Sequence, residues 1–137
     1  MIIIGDWGIL GGEALRIRTR VFVEEQGVPL ALEQDESDPG CVHVLCRLAG
    51  DPVATGRLLP DGHLGRICVL PEWRGKGYGA LIVQALLDEA RRRGMQQLAL
   101  SAQINAMGLY ARYGFQPVGE PYLEAGILHQ AMERKGS

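Results

Sequence analysis

The sequence predicts an α/β (α+β) domain: a mixed, mostly antiparallel sheet flanked by helices. Three observations carry that reading. Short apolar runs divided by the turns Gly50-Asp51-Pro52 and Pro60-Asp61-Gly62 mark a three-strand meander over residues 41–70. Residues 78–93 place Leu81, Ile82, Ala85, Leu86 and Ala90 along one face at helical spacing. A second apolar run, 97–102, follows that helix, and a strand–helix–strand crossover makes its two strands parallel.

The elements follow in order. Residues 1–7 read as a first strand, broken by Gly11 and Gly12. Residues 13–25 read as a helix in which Leu15, Val21 and Phe22 share an apolar side and Arg16, Arg18 and Arg20 are interleaved. Gly27 and Pro29 stop it. Residues 30–40, with Glu33, Asp35, Glu36 and Asp38, read as a solvated connection; a flap over a site is the other reading. The meander strands are 41–49, 53–59 and 64–70. The helix 78–93 ends on Arg91, Arg92 and Arg93, cations at the negative end of its dipole, ahead of Gly94. After strand 97–102 comes a helix over 105–113, closed by Gly114. Strands 115–118 and 127–132 complete the chain around a loop with Pro121.

Composition excludes several classes. The chain has 137 residues, 47% hydrophobic and 22% charged, as expected of one globular domain, 1–137. A net charge of −2 argues against a nucleic-acid binder, which carries a broad basic surplus. Cys41, Cys46 and Cys68 are odd in number and show no CxxC spacing, so neither a disulfide framework nor a metal site is expected. Free thiols in apolar runs imply a reducing, cytoplasmic setting. The opening MIIIGDWG is too short in apolar residues for a signal peptide, and no stretch approaches a membrane span.

The most informative stretch is 64–90. A short apolar strand (Ile67, Cys68, Val69, Leu70) meets Pro71, and Arg74-Gly75-Lys76-Gly77-Tyr78-Gly79 then opens into the amphipathic helix. Alternate glycines let the backbone turn and approach a ligand closely. Free N–H groups and the helix dipole favour an anion there, and Arg74 and Lys76 add two cations. The expected guest is a phosphate or pyrophosphate. A Walker A loop needs GxxxxGK[ST], which is missing, and the dinucleotide fingerprint needs GxGxxG where this loop has GxGxG.

The segment resembles the acyl-CoA loop of the GCN5-related N-acetyltransferase (GNAT) family, Q/R-x-x-G-x-G/A, on Arg74, Gly77 and Gly79. The approach Ile67-x-Val69-x-Pro71 is similar to that family's, and residues 105–115 (NAMGLYARYGF) resemble its tyrosine-bearing helix and Gly-Phe turn. A narrower resemblance, to the ElaA/YjcF-like bacterial subgroup, lies in residues 20–29 (RVFVEEQGVP), Ser101-Ala102-Gln103 and Gly126-Ile127-Leu128-His129.

The resemblance implies a fold with strands four and five parallel and splayed. It implies an acetyl-CoA-dependent N-acetyltransferase that moves the acetyl group directly to a primary amine; a non-catalytic CoA-binding module or sensor is the alternative. Backbone amides from Arg74 through Gly75, Lys76, Gly77, Tyr78 and Gly79 to Ala80 would hold the pyrophosphate. Cys68 and Val69 would pair with the pantetheine arm, which resembles a peptide, and the Val69 N–H would face the oxyanion. Cys68 itself reads as a packing residue. Tyr110 would protonate the departing thiolate, and Asn105 would cap its helix or contact the arm. The family's usual strand-four glutamate is missing, so the base candidates are Glu24 or Glu25, His43 and His129; an imidazole suits amine deprotonation near neutrality. His63 falls in an exposed turn. Arg57 and Arg66 pair with acids or an anionic substrate, or are plain strand-surface charges. Partners are acetyl-CoA and a small amine or peptide amine, with no nucleic acid and no membrane; by analogy of fold, a homodimer is compatible.

Overall fold

Asp6 decides where the first helix starts. Its backbone is extended and its carboxylate accepts the Ile9 amide at 3.0 Å, an N-cap. In the computed structural model, which describes residues 1–136, strand β1 (Ile2–Gly5) is therefore shorter than expected. Helix α1 (Trp7–Arg18) begins six residues earlier than the sequence suggests, and Gly11 and Gly12 lie inside it. Gly11 is there for space, since a Cβ would fall 2.8 Å from the Trp7 indole. The helix runs on without a break into a wider π-helical stretch, Thr19–Glu25.

The sheet has eight strands. Those after β1 are β2 (Val42–Leu48), β3 (Asp51–Leu58), β4 (His63–Val69), β5 (Gln97–Gln103), β6 (Gln116–Pro117), β7 (Tyr122–Glu124) and β8 (Ile127–Lys135). Their order is β1-β2-β3-β4-β5-β8-β6, with β7 also on β8. Every pairing is antiparallel except β4 with β5. The meander, the crossover and the parallel central pair are as expected. β7 is additional: its three residues are all exposed, so they show no alternation of apolar and polar sides.

Each face of the sheet carries a helix. On one, α3 (Tyr78–Arg92) buries Ile82, Val83, Leu86 and Ala90 with Val44, Cys46, Val53 and Leu58. On the other, Leu10, Ile17 and Val21 pack with Leu45, Cys68 and Leu70. Val44, Leu45 and Cys46 thus alternate between the two cores, as a strand requires. Gly56 on β3 lets α3 come close, because a Cβ there would lie 2.7 Å from Ile82 Cγ2 and 3.0 Å from Leu86 Cδ1.

The acidic segment 30–40 is largely exposed, as a solvated connection would be, but two of its carboxylates turn inward. It holds helix α2 (Leu30–Glu33) and puts Glu33 and Asp38 in the interior, 1% and 2% exposed, beside Arg18 at 1%. Arg18 pairs with Glu33 and reaches Asp38 at 2.9 and 3.1 Å. Arg57, also buried, reaches Asp38 at 2.7 Å and Asp35 at 2.9 Å. Arg66 adds Asp35 at 3.2 Å. Arg57 is therefore no surface charge. Three cations meet three carboxylates, and only such matched pairing makes buried charge tolerable.

Candidate functional site

The parallel pair makes contact only briefly. His63 pairs with Ala99 and Leu64 with Leu100; beyond them β4 and β5 separate. A bulge helps to redirect β4: Thr55 faces Cys68 and Arg57 faces Gly65, so Gly56 alone stands opposite both Arg66 and Ile67. Arg66 accordingly takes a left-handed backbone, φ 51°. The gap opens into a cleft of about 570 Å³, walled by the π-helical stretch, β5 and the β7–β8 hairpin.

Val69 turns its backbone into this gap. The Leu70 amide donates to the Val53 carbonyl at 2.9 Å. In an antiparallel ladder bonded pairs alternate, so Cys68 is bonded to Thr55 while Val69, opposite Ala54, points its N–H and C=O away from β3. Of the two strand residues expected to meet an extended ligand, Val69 offers its backbone and Cys68 does not.

The glycine loop follows directly. Gly75 and Gly77 have φ of +77° and +89°, where side chains are strained, and Gly77 caps α3 without a side chain to offer. The first-turn amides of Tyr78, Gly79 and Ala80 thus have no capping side chain. A Cβ on Gly79 would touch Val69 and Leu109 at 3.6 and 3.7 Å. Lys76 lies over the Trp73 ring at 5.8 Å and Tyr78 meets it edge-on at 6.4 Å, so both side chains shape the loop. Arg74 points back into the cleft, donating to the Val69 carbonyl at 3.0 Å and to both Glu25 oxygens at 2.6 Å.

Tyr110, on helix α4 (Met107–Ala111), lines the cleft, 8% exposed, and its ring stands edge-on to Phe115. Its hydroxyl has no hydrogen-bond partner among the described residues. Burial pushes the phenol up to about 12, so it is protonated at neutral pH. Burial likewise pushes the Cys68 thiol up to about 12, which makes it a packing group rather than a nucleophile. Asn105 lies at the cleft rim in a 3₁₀ turn, Ile104–Ala106, ahead of α4; it caps neither element.

The base candidates separate. His43 is buried against Trp7, bound to the Asp38 carbonyl at 2.9 Å, and burial lowers its pKa; it does not line the cleft. Glu24 is exposed and also outside the lining. Glu25 lines the cleft, but the Arg74 guanidinium holds its carboxyl below the usual range. His129 lines the cleft too: its Nδ1 donates to the Ile127 carbonyl at 2.7 Å, which leaves Nε2 as the basic nitrogen. Tyr122 stacks on the ring at 6.0 Å. His63 is exposed beside Asp61, as expected of a turn.

Two features of the cleft join elements far apart in the chain. Gln26 and Gln103 exchange amide hydrogen bonds of 3.3 and 2.8 Å, joining the π-helical stretch to the end of β5. Arg57 and Arg66 line the far end of the cleft from within the buried ion cluster. Neither carries a local signal, since each depends on partners nineteen or more residues away.

Comparison with known proteins agrees with this architecture. The family described as an acetyltransferase (GNAT) domain matches residues 10–135. The N-acetyltransferase YjcF of Bacillus subtilis is 37% identical over 124 residues, 88% of this chain and 89% of its own. A crystal structure of an acyl-CoA N-acyltransferase from Pseudomonas aeruginosa superposes with a TM-score of 0.86 at 32% identity, covering 98% of each chain. Escherichia coli ElaA gives 0.89 at 27% identity, over 98% of this chain and 99% of its own.

Proposed function

Because this chain belongs to the GNAT acetyltransferase family and is an N-acetyltransferase, we propose that it transfers an acetyl group from acetyl-CoA directly to a primary amine in the cleft between β4 and β5. The observation that carries the reading is the open inner edge at Val69, with the unpartnered Tyr110 hydroxyl on the same cleft. The glycine loop fits the donor's pyrophosphate: Gly75 and Gly77 leave open space where a Cβ would stand, and the α3 amides are free of any side-chain cap.

The chemistry assigned to each group follows from its position. The Val69 N–H donates to the thioester oxygen, where negative charge develops as the amine nitrogen bonds to the carbonyl carbon. His129 Nε2 takes the proton that the attacking nitrogen releases. The carbon–sulfur bond then breaks, and Tyr110 gives its proton to the leaving sulfur and regains one from solvent. No acyl-enzyme is needed, in keeping with the raised Cys68 thiol.

A thiol-release assay with acetyl-CoA over alkylamines, amino sugars, aminoglycosides and peptides tests the activity. A thermal-shift comparison of CoA, ATP and NAD tests the loop. At 100 times its dissociation constant a ligand stabilises by about 2.7 kcal/mol, and CoA alone is expected to shift the transition. A shift with ATP or NAD but none with CoA refutes the assignment of the loop.

A further inference from the structure

Arg74 occupies the edge that a donor arm has to use. Its Nε donates to the Val69 carbonyl at 3.0 Å, and its two terminal nitrogens grip Glu25 at 2.6 Å each. The guanidinium thus caps the Val69 carbonyl at the open edge of β4, and the Glu25 carboxylate sits one guanidinium away from that edge. An arm whose N–H pairs with the Val69 carbonyl competes with the guanidinium for that acceptor.

Resting on the reading that CoA enters this gap, we propose that Arg74 is a latch which the donor displaces, and that its departure hands the Glu25 carboxylate to the ammonium group of the acceptor. Glu25 is then an acceptor-binding residue and not the base. A Glu25 carboxylate freed in this way favours acceptors that are cationic in solution, alkylamines, over neutral arylamines.

Three observations support the hand-over. The π-helical stretch that carries Glu25 stays tied to both lips of the cleft without Arg74. Arg20 holds Glu72 through two bonds of 3.0 Å on one side, and Gln26 holds Gln103 on the other. Glu25 therefore keeps its place when its partner leaves. The Arg74 side chain is already 41% exposed, so it can turn into solvent without leaving a buried charge unpaired. Finally, Glu25 lines the same cleft as His129, so an ammonium held at Glu25 shares that space with Nε2, which takes one proton before attack, passes it to solvent, and takes the second as the amide forms.

The test follows the Glu25 carboxyl itself. Carbon-13 NMR of labelled protein, with the signal assigned by Glu25→Gln, gives its titration midpoint with and without saturating CoA. The midpoint is expected to rise toward that of an ordinary carboxyl when CoA binds. In Arg74→Ala it is expected to be high already, with CoA moving it far less. Arg74→Ala is also expected to bind CoA at least as tightly as the parent, and Glu25→Gln roughly threefold to fivefold more tightly. CoA binding, seen by thermal shift, with an unmoved Glu25 midpoint overturns the latch and leaves the loop assignment standing. Weaker CoA binding by Arg74→Ala likewise overturns it, since the side chain is then a plain phosphate ligand. Absence of any CoA shift in the parent overturns the loop assignment and the latch together.

Discussion

Arg57 holds Asp35 in a two-pronged pair, with Nη1 and Nη2 each 2.9 Å from a carboxylate oxygen. Asp35 lies in a short acidic segment, yet it is an inward-facing partner of a strand arginine. Through Asp38, the same arginine connects to Arg18 on α1, so one cluster fastens the segment 30–40 to both the sheet and the first helix.

That pairing sets the acid limit of the fold. Arg57 pulls the Asp35 carboxyl from an ordinary 3.8 down to about 2. Burial opposes the same shift in Asp38, but Arg18 and Arg57 outweigh it and its carboxyl is lowered too. A depressed folded pKa stabilises above the unfolded value and loses that contribution as protons bind below it. The melting temperature is therefore expected to be flat above pH ~5 with respect to these groups and to fall as pH drops from about 4 toward 2. Asp35→Asn is expected to flatten that slope, as read by thermal unfolding across a pH series.

Arg18→Ala leaves Glu33 and Asp38 buried with much of their compensation gone. A loss of about 3–5 kcal/mol is expected from breaking one partner of a buried ion pair. Urea unfolding measures it. An effect under 1 kcal/mol would mean that water enters the cluster freely.

Gly56→Ala tests the fit of α3 on the sheet. The new methyl would press on Ile82 and Leu86, both fully buried, so overpacking is expected to cost about 1–3 kcal/mol. The midpoint of chemical denaturation should fall with little change in slope.

Tyr110→Phe keeps the ring and its edge-on contact with Phe115 but removes the proton. A fall in kcat of about a hundredfold is expected, with the KM for acetyl-CoA nearly unchanged. Ultraviolet titration provides a second readout. Burial raises this phenol to about 12, and the variant should lose the tyrosine that ionises last.

Gly77→Ala places a Cβ on a backbone with φ of +89°, at the start of α3. Left-handed backbone costs a non-glycine residue about 1–2 kcal/mol, which the loop can relieve by rotating its amides off target. Weaker acetyl-CoA binding with a near-normal kcat at saturation is the expected result, from initial rates over donor concentration.

Local pattern carried much of the architecture. The turn at residues 60–62, the amphipathic face of α3 and the glycine loop are all short-range features, and each lies where its sequence puts it, whereas the first meander turn closes on Ala49 and Gly50 and leaves Asp51 and Pro52 in β3. The splay between β4 and β5 was legible only through resemblance, because no residue in either strand announces where a parallel pair ends. The first helix was misplaced because Gly11 and Gly12 read as breakers, while the Asp6 cap and the Trp7 ring that needs Gly11 are tertiary facts. The inward turn of Glu33 and Asp38 had no local signal for a related reason. Charge implies solvent unless partners are known, and Arg18, Arg57 and Arg66 come from three separate elements. In the cleft, Val69 and Tyr110 were expected only through the resemblance, and both line it. The fold separates the base candidates: it buries His43, ties Glu25 to Arg74 and sets Nε2 of His129 3.7 Å from Glu124.

The parting of β4 from β5 also bears on how the chain behaves in a crowded solution. An unpaired strand edge at the rim of a sheet invites another chain to add to it, and proteins blunt such rims with charge, prolines or bulges. Here an unpaired edge lies inside the sheet, beside a bulge and behind the π-helical stretch, where a second protein has no room to align. The protein can thus keep strand-pairing capacity open for a slender ligand without offering a seed for aggregation.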